Sequence, residues 1–297
     1  MPAARRVEVE VEGLRLSLSN LDKVMYPEVG FTKGQLIDYY TRVAPALLPH
    51  LRGRPLTMKR YPDGVDGEFF YEKQCPSHRP EWVETAAIPT GRKTIDFCVC
   101  NDLPTLVWMA NLADLELHPS LSLADAIERP TVMAFDLDPG PPAGLAECCE
   151  VARILHESMT RLGLESFPKT SGSKGLQVYV PLNSGEATYG DTKPLASALA
   201  RHLEAEHPEL IVSRQRKELR KGKVLIDWSQ NDEHKTTVSV YSLRARPRPT
   251  VSTPLRWEEL DDPDALVFEV DDVLARVERD GDLFEPVQTL QQALPEL

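Results

Sequence analysis

The feature that most restricts the fold is the order of patterns between residues 132 and 228, where short apolar runs alternate with longer amphipathic stretches. Residues 178–182 and 224–228 have the length and the apolar content of buried strands. Residues 145–162 and 192–206 repeat apolar residues at helical spacing. Strands that alternate with helices in this way predict an α/β fold.

Two acidic residues stand where one of the predicted strands ends. Asp136 and Asp138 follow the apolar run 132–135 and precede Pro139-Gly140. Residues two apart on a strand point to the same face, with Cα atoms about 6.5 to 7 Å apart, so both carboxylates can bind one hard cation or bridge two. Asp227 ends another apolar run and is a candidate third carboxylate. A solvated strand end is the alternative for such an acidic pair.

The rest of the sequence predicts further helices and strands around this unit. Thr32 is a candidate cap for an amphipathic helix over 33–51, and Ser19-Asn20 for a helix that begins at Leu21. Apolar periodicity predicts a buried helix at 105–115 and a C-terminal helix near 271–278. Alternating or apolar runs predict the other strands: a pair around Gly13 within 7–18, and single strands at 56–61, 68–72 and 236–243.

The charge of the chain is unevenly distributed. The net charge of −12 argues by itself against a nucleic-acid partner, because phosphate binding relies on Lys and Arg. Residues 211–250, however, carry ten Lys or Arg against four acidic residues, a local charge of +6. Residues 251–297 carry three Arg against thirteen acidic residues, a local charge of −10. A basic segment beside Asp227 predicts an anion site, with a solvated loop as the alternative.

The sequence predicts a cytoplasmic protein with no membrane partner. No stretch approaches the roughly 18 to 20 apolar residues of a membrane span, and the N-terminus lacks the apolar run of a signal peptide. The five cysteines are an odd number, which does not fit the disulfide framework of a secreted protein. Cys148 and Cys149 fall within a predicted helix and are expected in the core.

Three other cysteines and a histidine form a candidate metal site. Cys75 and His78 are three residues apart, and Cys98 and Cys100 form a second close pair. Ligands of these two types in two pairs fit the tetrahedral coordination of structural zinc. Free thiols packed in the core are the alternative.

A Gly-rich turn with the sequence T-S-G-S-K-G occupies residues 170–175. Such a turn exposes backbone N–H groups, and its hydroxyls and the Lys174 ammonium suit a triphosphate. It is not a P-loop, because the GxxxxGK[ST] spacing is absent. A simple hairpin turn is the alternative. Three metal-suited acids, a phosphate-suited turn and a basic segment in one α/β unit together predict nucleotidyl transfer.

These motifs, taken in order, resemble the polymerase domain of bacterial ligase D, a member of the archaeo-eukaryotic primase superfamily. The resemblance covers almost the whole chain, and no ligase or nuclease module is recognised in it. It rests on these segments: Asp22-Lys23-Val24, Thr32-Lys33, Gly53-Arg54-Pro55, Lys59-Arg60, Phe70-Tyr71-Glu72-Lys73-Gln74, Leu117-His118, Asp136-Leu137-Asp138-Pro139-Gly140, Ser171-Gly172-Ser173-Lys174-Gly175, Asp227-Trp228-Ser229-Gln230-Asn231 and Tyr241-Ser242-Leu243-Arg244.

The resemblance implies a primase-type core in which an RRM-like antiparallel sheet carries the catalytic acids. It implies one domain over residues 1–297, made of an N-terminal α/β unit at about 1–125, an RRM-like catalytic unit at about 126–250 and an acidic C-terminal appendage at about 251–297. The implied enzyme is a template-dependent nucleotidyltransferase that fills short gaps or extends primers at DNA ends, in non-homologous end joining, and prefers ribonucleotides.

The same resemblance implies cofactors and partners. Two Mn²⁺ or Mg²⁺ ions would occupy each active site. The substrates would be nucleoside triphosphates and gapped or recessed DNA with a 5′-phosphate. A DNA ligase and a Ku-like end-binding protein would be partners, and the protein would associate with the bacterial nucleoid.

The resemblance also assigns roles to individual residues. Those that would bind the metal ions are Asp136, Asp138 and Asp227. Those that would bind the nucleotide are Ser171, Lys174, Gln177 and Arg244 at the triphosphate, His118 at the sugar and Gln230 near its 2′-hydroxyl. Those that would bind DNA are Lys23 and Lys33 at the 5′-phosphate, Phe70 and Tyr71 as a platform for the template, Lys59, and Arg220 in a mobile basic loop.

Gln177 departs from the family pattern, in which many members carry a histidine that contacts the phosphates. An amide donates a hydrogen bond but carries no charge, so a lower affinity for the triphosphate is expected.

Two other functions of the protein remain open. One is a haloacid-dehalogenase-like phosphatase, in which Asp136 is the nucleophile and Asp138 an acid or base. The other is a non-catalytic module that binds DNA ends through Lys23, Lys33 and the basic segment.

Overall fold

The chain folds around two five-stranded β-sheets, and the computed structural model describes residues 6–91 and 93–295. The N-terminal part supplies β1 Arg6–Val11, β2 Leu14–Ser19, β3 Val24–Tyr26, β4 Phe31–Thr32, α1 Lys33–Leu51, β5 Pro55–Arg60, β6 Phe70–Glu72, β7 Thr85–Thr90, β8 Lys93–Val99, α2 Leu103–Asn111 and β9 Asp114–Pro119. The remainder supplies β10 Val132–Pro139, α3 Leu145–Arg161, β11 Phe167–Thr170, β12 Leu176–Pro181, α4 Tyr189–Glu206, β13 Ile211–Val212, β14 Val224–Asp227, α5 Val270–Asp280 and α6 Pro286–Thr289.

The N-terminal sheet is organised around β5. One edge of β5 pairs with β9. On the other edge, the first residues of β5 pair with β8 and its last residues pair with β6. Helix α1 packs into the same core, where Leu36 and Leu47 join Met58 of β5. Thr32 caps α1 as predicted, because its hydroxyl accepts from Gln35 N at 3.3 Å and the Gln35 amide oxygen accepts from Thr32 N at 2.8 Å.

The second sheet has the strand order β11-β12-β10-β14-β13. Its neighbouring strands are antiparallel except for the parallel pair β13 and β14. Apart from the two-residue strand β13, this unit runs β10-α3-β11-β12-α4-β14 along the chain. A βαββαβ order with the first and third strands at the centre is that of an RRM-like sheet. The predicted α/β class with an RRM-like antiparallel sheet is thereby confirmed.

Strand β10 separates the two large cores of the protein. Phe135 and Leu137 point into the core that α3 and α4 cover. Val132 and Ala134 point to the opposite face and pack into the core of the N-terminal unit. Because strand residues alternate, Asp136 and Asp138 continue this second face. The two carboxylates therefore lie on the side of the sheet that meets the N-terminal unit.

Several local features differ from the sequence-based expectations. The helix predicted at 105–115 ends at Asn111, and Asp114 begins β9. The helix predicted from Leu21 is a turn that leads into β3, and Asn20 adopts a left-handed φ of 56°. Residues 236–243 are not a strand, although they run beside β9, where Thr237 N and Ser239 N donate to backbone carbonyls of that strand. The β7–β8 hairpin has no counterpart among the predicted elements.

The acidic C-terminal segment packs against the N-terminal unit. Phe284 and Val287 enter the core that α1 shares. His50 of α1 and Asp282 are joined by a hydrogen bond of 2.8 Å between Nε2 and Oδ2, and the Tyr241 hydroxyl donates to the other Asp282 oxygen at 2.6 Å. This buried network ties the end of the chain both to α1 and to the irregular segment beside β9.

A disulfide joins Cys75 to Cys98 and links the segment after β6 to β8. This pairing contradicts the zinc site predicted from Cys75, His78, Cys98 and Cys100, because a disulfide offers no thiolate to a metal. Cys100 is a buried free thiol. Cys148 and Cys149 are also buried and free, which confirms their predicted place in the core.

Removal of the disulfide by the double change Cys75→Ser/Cys98→Ser should lower the free energy of unfolding. A loss of about 2 to 4 kcal/mol is expected for a loop whose ends are 23 residues apart. The measurement is denaturant-induced unfolding followed by circular dichroism, with and without a reductant. The unchanged chain should lose stability in the reductant and the double variant should not, so an equal response of both would contradict the pairing.

Candidate active site

Strand pairing places four polar side chains in one row across the catalytic sheet. Asp136 on β10 pairs with Asp227 on β14 and with Gln177 on β12, and Gln177 pairs with Lys169 on β11. Directly paired residues point to the same face of a sheet, so all four project toward the N-terminal unit. Asp138 lies two residues further along β10 on this face. The structure thus brings together the three acids that the sequence predicts as a cluster.

Hydrogen bonds orient two of these carboxylates. Gln177 Nε2 donates to Asp136 Oδ1 and to the Thr237 hydroxyl, both at 3.1 Å. Asp227 Oδ1 accepts from Ser229 N at 2.9 Å and from the Ser229 hydroxyl at 2.6 Å, and its Oδ2 accepts from Gln230 Nε2 at 3.3 Å. The turn after β14 therefore engages both oxygens of Asp227, whereas Asp136 is held from one side only.

The three acids repel one another. Burial, together with the negative charges of Asp138 and Asp227, raises the pKa of Asp136 to about 7, although the hydrogen bond from Gln177 opposes the shift. Burial and then the charge of Asp227 raise the pKa of Asp138, while nearby arginines lower it. Crowded like charges of this kind are stabilised by a bound cation.

A divalent, oxygen-binding cation fits this donor set. Asp136 and Asp138 offer carboxylate oxygens, the ligands that Mg²⁺ and Mn²⁺ prefer. Across residues 6–91 and 93–295, no three His, Cys, Asp or Glu side chains converge with complete metal-binding geometry. Two carboxylates are nevertheless enough for an ion that takes its other ligands from substrate phosphates and water.

The Gly-rich turn between β11 and β12 is packed tightly against β10. Ser171 Oγ accepts from Ser173 N and from Gly175 N, each at 3.2 Å. A Cβ atom on Gly175 would lie 2.0 Å from Leu137 O, so a larger residue does not fit. The backbone N–H groups of Ser173 and Gly175 are engaged inside the turn, contrary to the expectation that the turn offers its amides to a ligand. Lys174 is exposed and extends from the turn.

A cavity of about 520 Å³ opens in front of the row, between the catalytic sheet and the N-terminal sheet. It gathers most of the residues predicted to bind metal or nucleotide: His118, Asp136, Asp138, Ser171, Lys174, Gln177, Gln230 and Arg244. Asp227, which accepts a hydrogen bond from Gln230, does not line the cavity. The wall also contains residues to which the sequence analysis assigns no role of their own: Thr57, Lys73, His234 and Lys235.

His118 lies on β9 opposite Thr57 of β5. Its ring is edge-on to the ring of Tyr71, with centroids 5.9 Å apart, and its Nε2 is 3.0 Å from Glu116 Oε2. Burial lowers the pKa of His118, and the bond to Glu116 opposes that shift. A neutral imidazole at the cavity wall can exchange a hydrogen bond with a hydroxyl group.

The exposed aromatic residues around β6 divide between two faces. Tyr71 pairs with Lys59 across β5 and β6, whereas Phe70 pairs with the next residue of β5, so the two predicted platform rings point to opposite sides. Phe69 is 51% exposed, stacks on Tyr61 with centroids 5.3 Å apart and meets Tyr71 edge-on. Phe69 and Tyr71 therefore form one aromatic surface. Phe69 is a candidate that the sequence reasoning missed.

Lys23 and Lys33 lie near the start of α1, in a positively charged corner. Lys33 Nζ donates to Ser19 O at 2.7 Å, and Lys23 Nζ pairs with Asp63 Oδ1 at 2.6 Å. Burial, followed by the positive charges of Lys23 and Arg60, lowers the pKa of Lys33 to about 8. Cations that destabilise one another in this way are typical of a place where an anion binds.

Arg220 lies in the basic segment between β13 and β14, beside the carboxylates. Its guanidinium donates to Gln215 O at 2.7 Å, and its charge lowers the pKa of Asp138. Gly140 packs directly on its backbone, because a Cβ atom at that position would lie 1.9 Å from Arg220 O. The basic segment is therefore in contact with the end of β10.

An RRM-like sheet with carboxylates at the end of its first strand, facing a cavity lined by cations, defines a primase-type nucleotidyltransferase. The model of the LigD primase-polymerase domain family matches residues 32–284 of the chain. The chain belongs to this family and is a DNA-directed nucleotidyltransferase. The phosphatase and the non-catalytic module are therefore set aside.

No helix in the described part of the chain is long and apolar enough to cross a bilayer.

Known proteins with similar sequences are longer than this chain. The multifunctional non-homologous end joining protein LigD of Mycolicibacterium smegmatis is 43% identical over 275 residues, which cover 92% of this chain and 36% of that protein. The bifunctional non-homologous end joining protein LigD of Bacillus subtilis is 31% identical over 268 residues, 90% of this chain and 43% of that protein. The chain thus spans less than half the length of these relatives.

A solved structure agrees with the fold over nearly its whole length. The polymerase domain of Mycobacterium tuberculosis ligase D, in complex with DNA, superimposes with a TM-score of 0.88 at 40% sequence identity. The match covers 94% of this chain and 99% of that chain.

Gly175→Ala should destabilise the protein, because the added methyl group meets the Leu137 carbonyl and the turn has to move away from β10. A loss of about 1 to 3 kcal/mol in the free energy of unfolding is expected for such an overpacked site. The control is Gly144→Ala, whose Cβ atom would have Glu147 Oε2 at 4.0 Å as its nearest neighbour. Chemical denaturation compares the two, and equal losses would contradict the close packing of the turn.

Proposed function

We propose that the chain extends primers and fills short gaps at DNA ends by template-dependent nucleotidyl transfer, as part of non-homologous end joining. The observation that carries this proposal is the presence of Asp136 and Asp138 in the same cavity as Lys174 and Arg244. Carboxylates suited to divalent ions and cations suited to a triphosphate are the two components that phosphoryl transfer requires.

Asp136, Asp138 and Asp227 are the residues that would hold two Mn²⁺ or Mg²⁺ ions, which when bound supply charge stabilisation at the attacking and leaving oxygens. The chain's own contribution is orientation. Gln177 fixes Asp136, and the turn after β14 fixes Asp227. The carboxylates are thereby held in place before the substrates arrive, which lowers the cost of assembling the site.

The triphosphate is proposed to lie along Lys174 and Arg244. The Arg244 guanidinium donates to the Ser171 carbonyl, which ties it to the Gly-rich turn. Gln177 adds no charge, but its Oε1 is buried and accepts no hydrogen bond from the described residues. Buried acceptors are normally hydrogen-bonded, so an unpaired acceptor at a cavity wall is expected to accept from a donor on the bound substrate. Because ionised phosphates carry no donor, Gln177 is proposed to accept from a hydroxyl or amino group of the nucleotide.

The ribose is proposed to lie near His118 and Gln230, which both line the cavity. Both side chains exchange hydrogen bonds with hydroxyl groups. A site built to bond the 2′-hydroxyl discriminates against the sugar that lacks it, so a preference for ribonucleotides is proposed.

DNA is proposed to contact two further surfaces. Lys23 and Lys33 are assigned to the 5′-phosphate at the far side of a gap, where an ammonium pair matches a phosphate group. Phe69 and Tyr71 are assigned to base stacking, which is worth about 1 to 3 kcal/mol for each base. Arg220 is assigned to the strand that passes the carboxylates. The DNA in the similar solved complex supports a nucleic-acid partner for this fold.

The cellular setting is proposed from the names of the similar proteins, which are non-homologous end joining proteins. A DNA ligase would seal the extended ends, and a Ku-like protein would hold them. The chain would work at the bacterial nucleoid.

Asp136→Ala/Asp138→Ala should reduce primer extension by at least about two orders of magnitude, because the double change removes the proposed metal ligands. The measurement is a gel assay on gapped DNA with Mn²⁺ or Mg²⁺, with ribonucleotides and deoxynucleotides compared. Asp38→Ala, which removes an exposed acid from α1, is the control and should retain activity. Undiminished extension by the double variant would refute the proposed mechanism.

The preference for a 5′-phosphorylated gap should weaken as the pH rises from 7 to 9. Lys33 has a pKa of about 8 and is an ammonium below it, so its attraction for phosphate is lost as the pH passes through that value. A loss of up to about tenfold in relative affinity is expected over this range. Fluorescence anisotropy with phosphorylated and unphosphorylated gaps measures it.

The matched variant is Lys23→Ala/Lys33→Ala, which should show little preference at any pH. If this variant still prefers the 5′-phosphate, the phosphate binds at another place.

A further inference from the structure

A buried carboxylate lies behind the wall of the cavity. It contacts residues that line the cavity and a lysine that lies at the aromatic surface of Phe69 and Tyr71. Glu116, on β9, is 2% exposed. Its Oε2 lies 3.0 Å from His118 Nε2 and 3.2 Å from Lys59 Nζ. Its Oε1 accepts from Ala245 N at 2.9 Å and lies 3.4 Å from Arg244 Nε. Both oxygens therefore have partners, and three of the four partners carry or can carry a positive charge.

Electrostatic attraction keeps Glu116 ionised in this buried position. Burial alone would raise its pKa, but the hydrogen bond from His118 and the charges of Arg244, His118 and Lys59 hold the pKa well below its usual range. A buried charge is costly unless it is fully paired. Glu116 meets this condition only while its three cationic partners stay in place, so the four side chains form one interdependent cluster.

Each cationic partner of Glu116 reaches a surface that substrate is proposed to contact. His118 and Arg244 line the cavity, and Arg244 also donates to the carbonyl of Ser171. Lys59 Nζ lies 4.6 Å from the ring centroid of Phe69 and 5.5 Å from that of Tyr71. One carboxylate thus sets the positions of groups on β5, on β9 and in the segment that contains Arg244.

We propose that Glu116 is a positioning residue for the nucleotide. It fixes the tautomer of His118 and keeps the Arg244 guanidinium turned toward the triphosphate. A carboxylate only accepts hydrogen bonds, so the His118 Nε2 carries the proton and the Nδ1 of the neutral ring is left to accept from a sugar hydroxyl. This inference rests on the proposed function, since it takes the ligand to be a ribonucleoside triphosphate.

Glu116→Gln keeps the shape of the side chain and removes its charge. The Kd of a fluorescent ribonucleoside triphosphate, measured by anisotropy, should rise at least about tenfold, since losing a hydrogen bond to a charged partner costs a factor of this order. In primer extension the KM for the ribonucleotide should rise with it, while kcat changes less, because Glu116 does not touch the reacting atoms.

Asp114→Asn is the matched control. Asp114 lies on the same strand two residues away and is fully buried. Burial raises its pKa well above the usual range, so the charged form is already disfavoured and a neutral amide of the same shape is a conservative replacement. This variant should leave the nucleotide Kd within about twofold of the unchanged chain.

A second variant guards against simple unfolding, since Glu116→Gln leaves Lys59 and Arg244 without a buried counter-charge. Glu116→Gln/Lys59→Met removes one negative and one positive charge, so the net charge of the cluster is unchanged. It should fold, as judged by its circular dichroism melt, and should still bind the nucleotide at least about tenfold more weakly, because His118 and Arg244 are no longer held. Normal nucleotide binding by this folded variant would overturn the inference.

The titration of His118, followed by NMR of its ring, gives a readout that needs no activity. The charged or titratable groups around the ring are Glu116, Lys59, Arg244 and the Tyr71 hydroxyl. Glu116 raises the pKa of His118 and the two cations lower it, so Glu116→Gln should shift the titration to lower pH. An unshifted titration would overturn the positioning role. Failure of the unchanged chain to extend any primer would instead overturn the proposed function, while the Kd values of the variants would still decide the role of Glu116.

Discussion

Strand β10 is hydrogen-bonded to a neighbour on each edge, and a shift of its register by one residue would turn all of its side chains to the opposite face. Its register is specified from both sides. Phe135 and Leu137 need the core beneath α3, and Val132 and Ala134 need the core of the N-terminal unit. Burial of these apolar residues therefore also determines the face of the sheet on which Asp136 and Asp138 lie. The hydrophobic packing of β10 therefore positions the carboxylates, and the neighbouring strands place Asp227 and Gln177 beside them.

The charges of the site are separated between the two sides of the cavity. The catalytic sheet carries the acids, whose crowded charges raise the pKa values of Asp136 and Asp138, whereas most of the cations lie on the facing wall and on the Gly-rich turn. Glu116 is the exception, because it is an acid on the side of the cavity where the cations lie. It is surrounded by Lys59, His118 and Arg244. An anionic substrate between the walls meets cations that are already held in place. The net charge of the whole chain gives no hint of this arrangement.

The sequence alone was sufficient to predict the helices and strands whose apolar residues recur at regular spacing and are buried in the structure. Helix α1 and strands β10 and β14 belong to this class, and so does the cluster of three acids, because two of them sit on one strand at a spacing of two. The β7–β8 hairpin lacks such a pattern: Pro89 interrupts one strand, and buried and exposed residues do not alternate regularly along the other. The pairing of Cys75 with Cys98 depends on how the segment after β6 meets β8, and spacing alone does not determine it.

Glu116 was missed for a related reason. In the strand Asp114–Pro119 the sequence D-L-E-L-H-P has the alternation of a sheet with one polar face, which normally faces solvent. Here that face is covered, so its polar residues become a buried network. A covered polar face requires partners from elsewhere in the chain, and these come from β5 and from the segment at Arg244, which are 57 and 129 residues away from their contacts on Glu116. Such long-range pairing leaves no local signal.

The neutrality of Gln177 makes sense within the row that it occupies. Its neighbours on either side are Lys169, which is fully buried, and Asp136. Burial and the charge of Arg244 lower the pKa of Lys169, and Asp136 raises it. A charged imidazole in the place of Gln177 would add a second buried cation beside this ammonium, whereas an amide donates to Asp136 without that repulsion. In the proposed site, the attraction for the triphosphate then depends on Lys174 and Arg244. Glu116, which is proposed to hold Arg244, would influence a larger share of that attraction than in a site that contains a histidine.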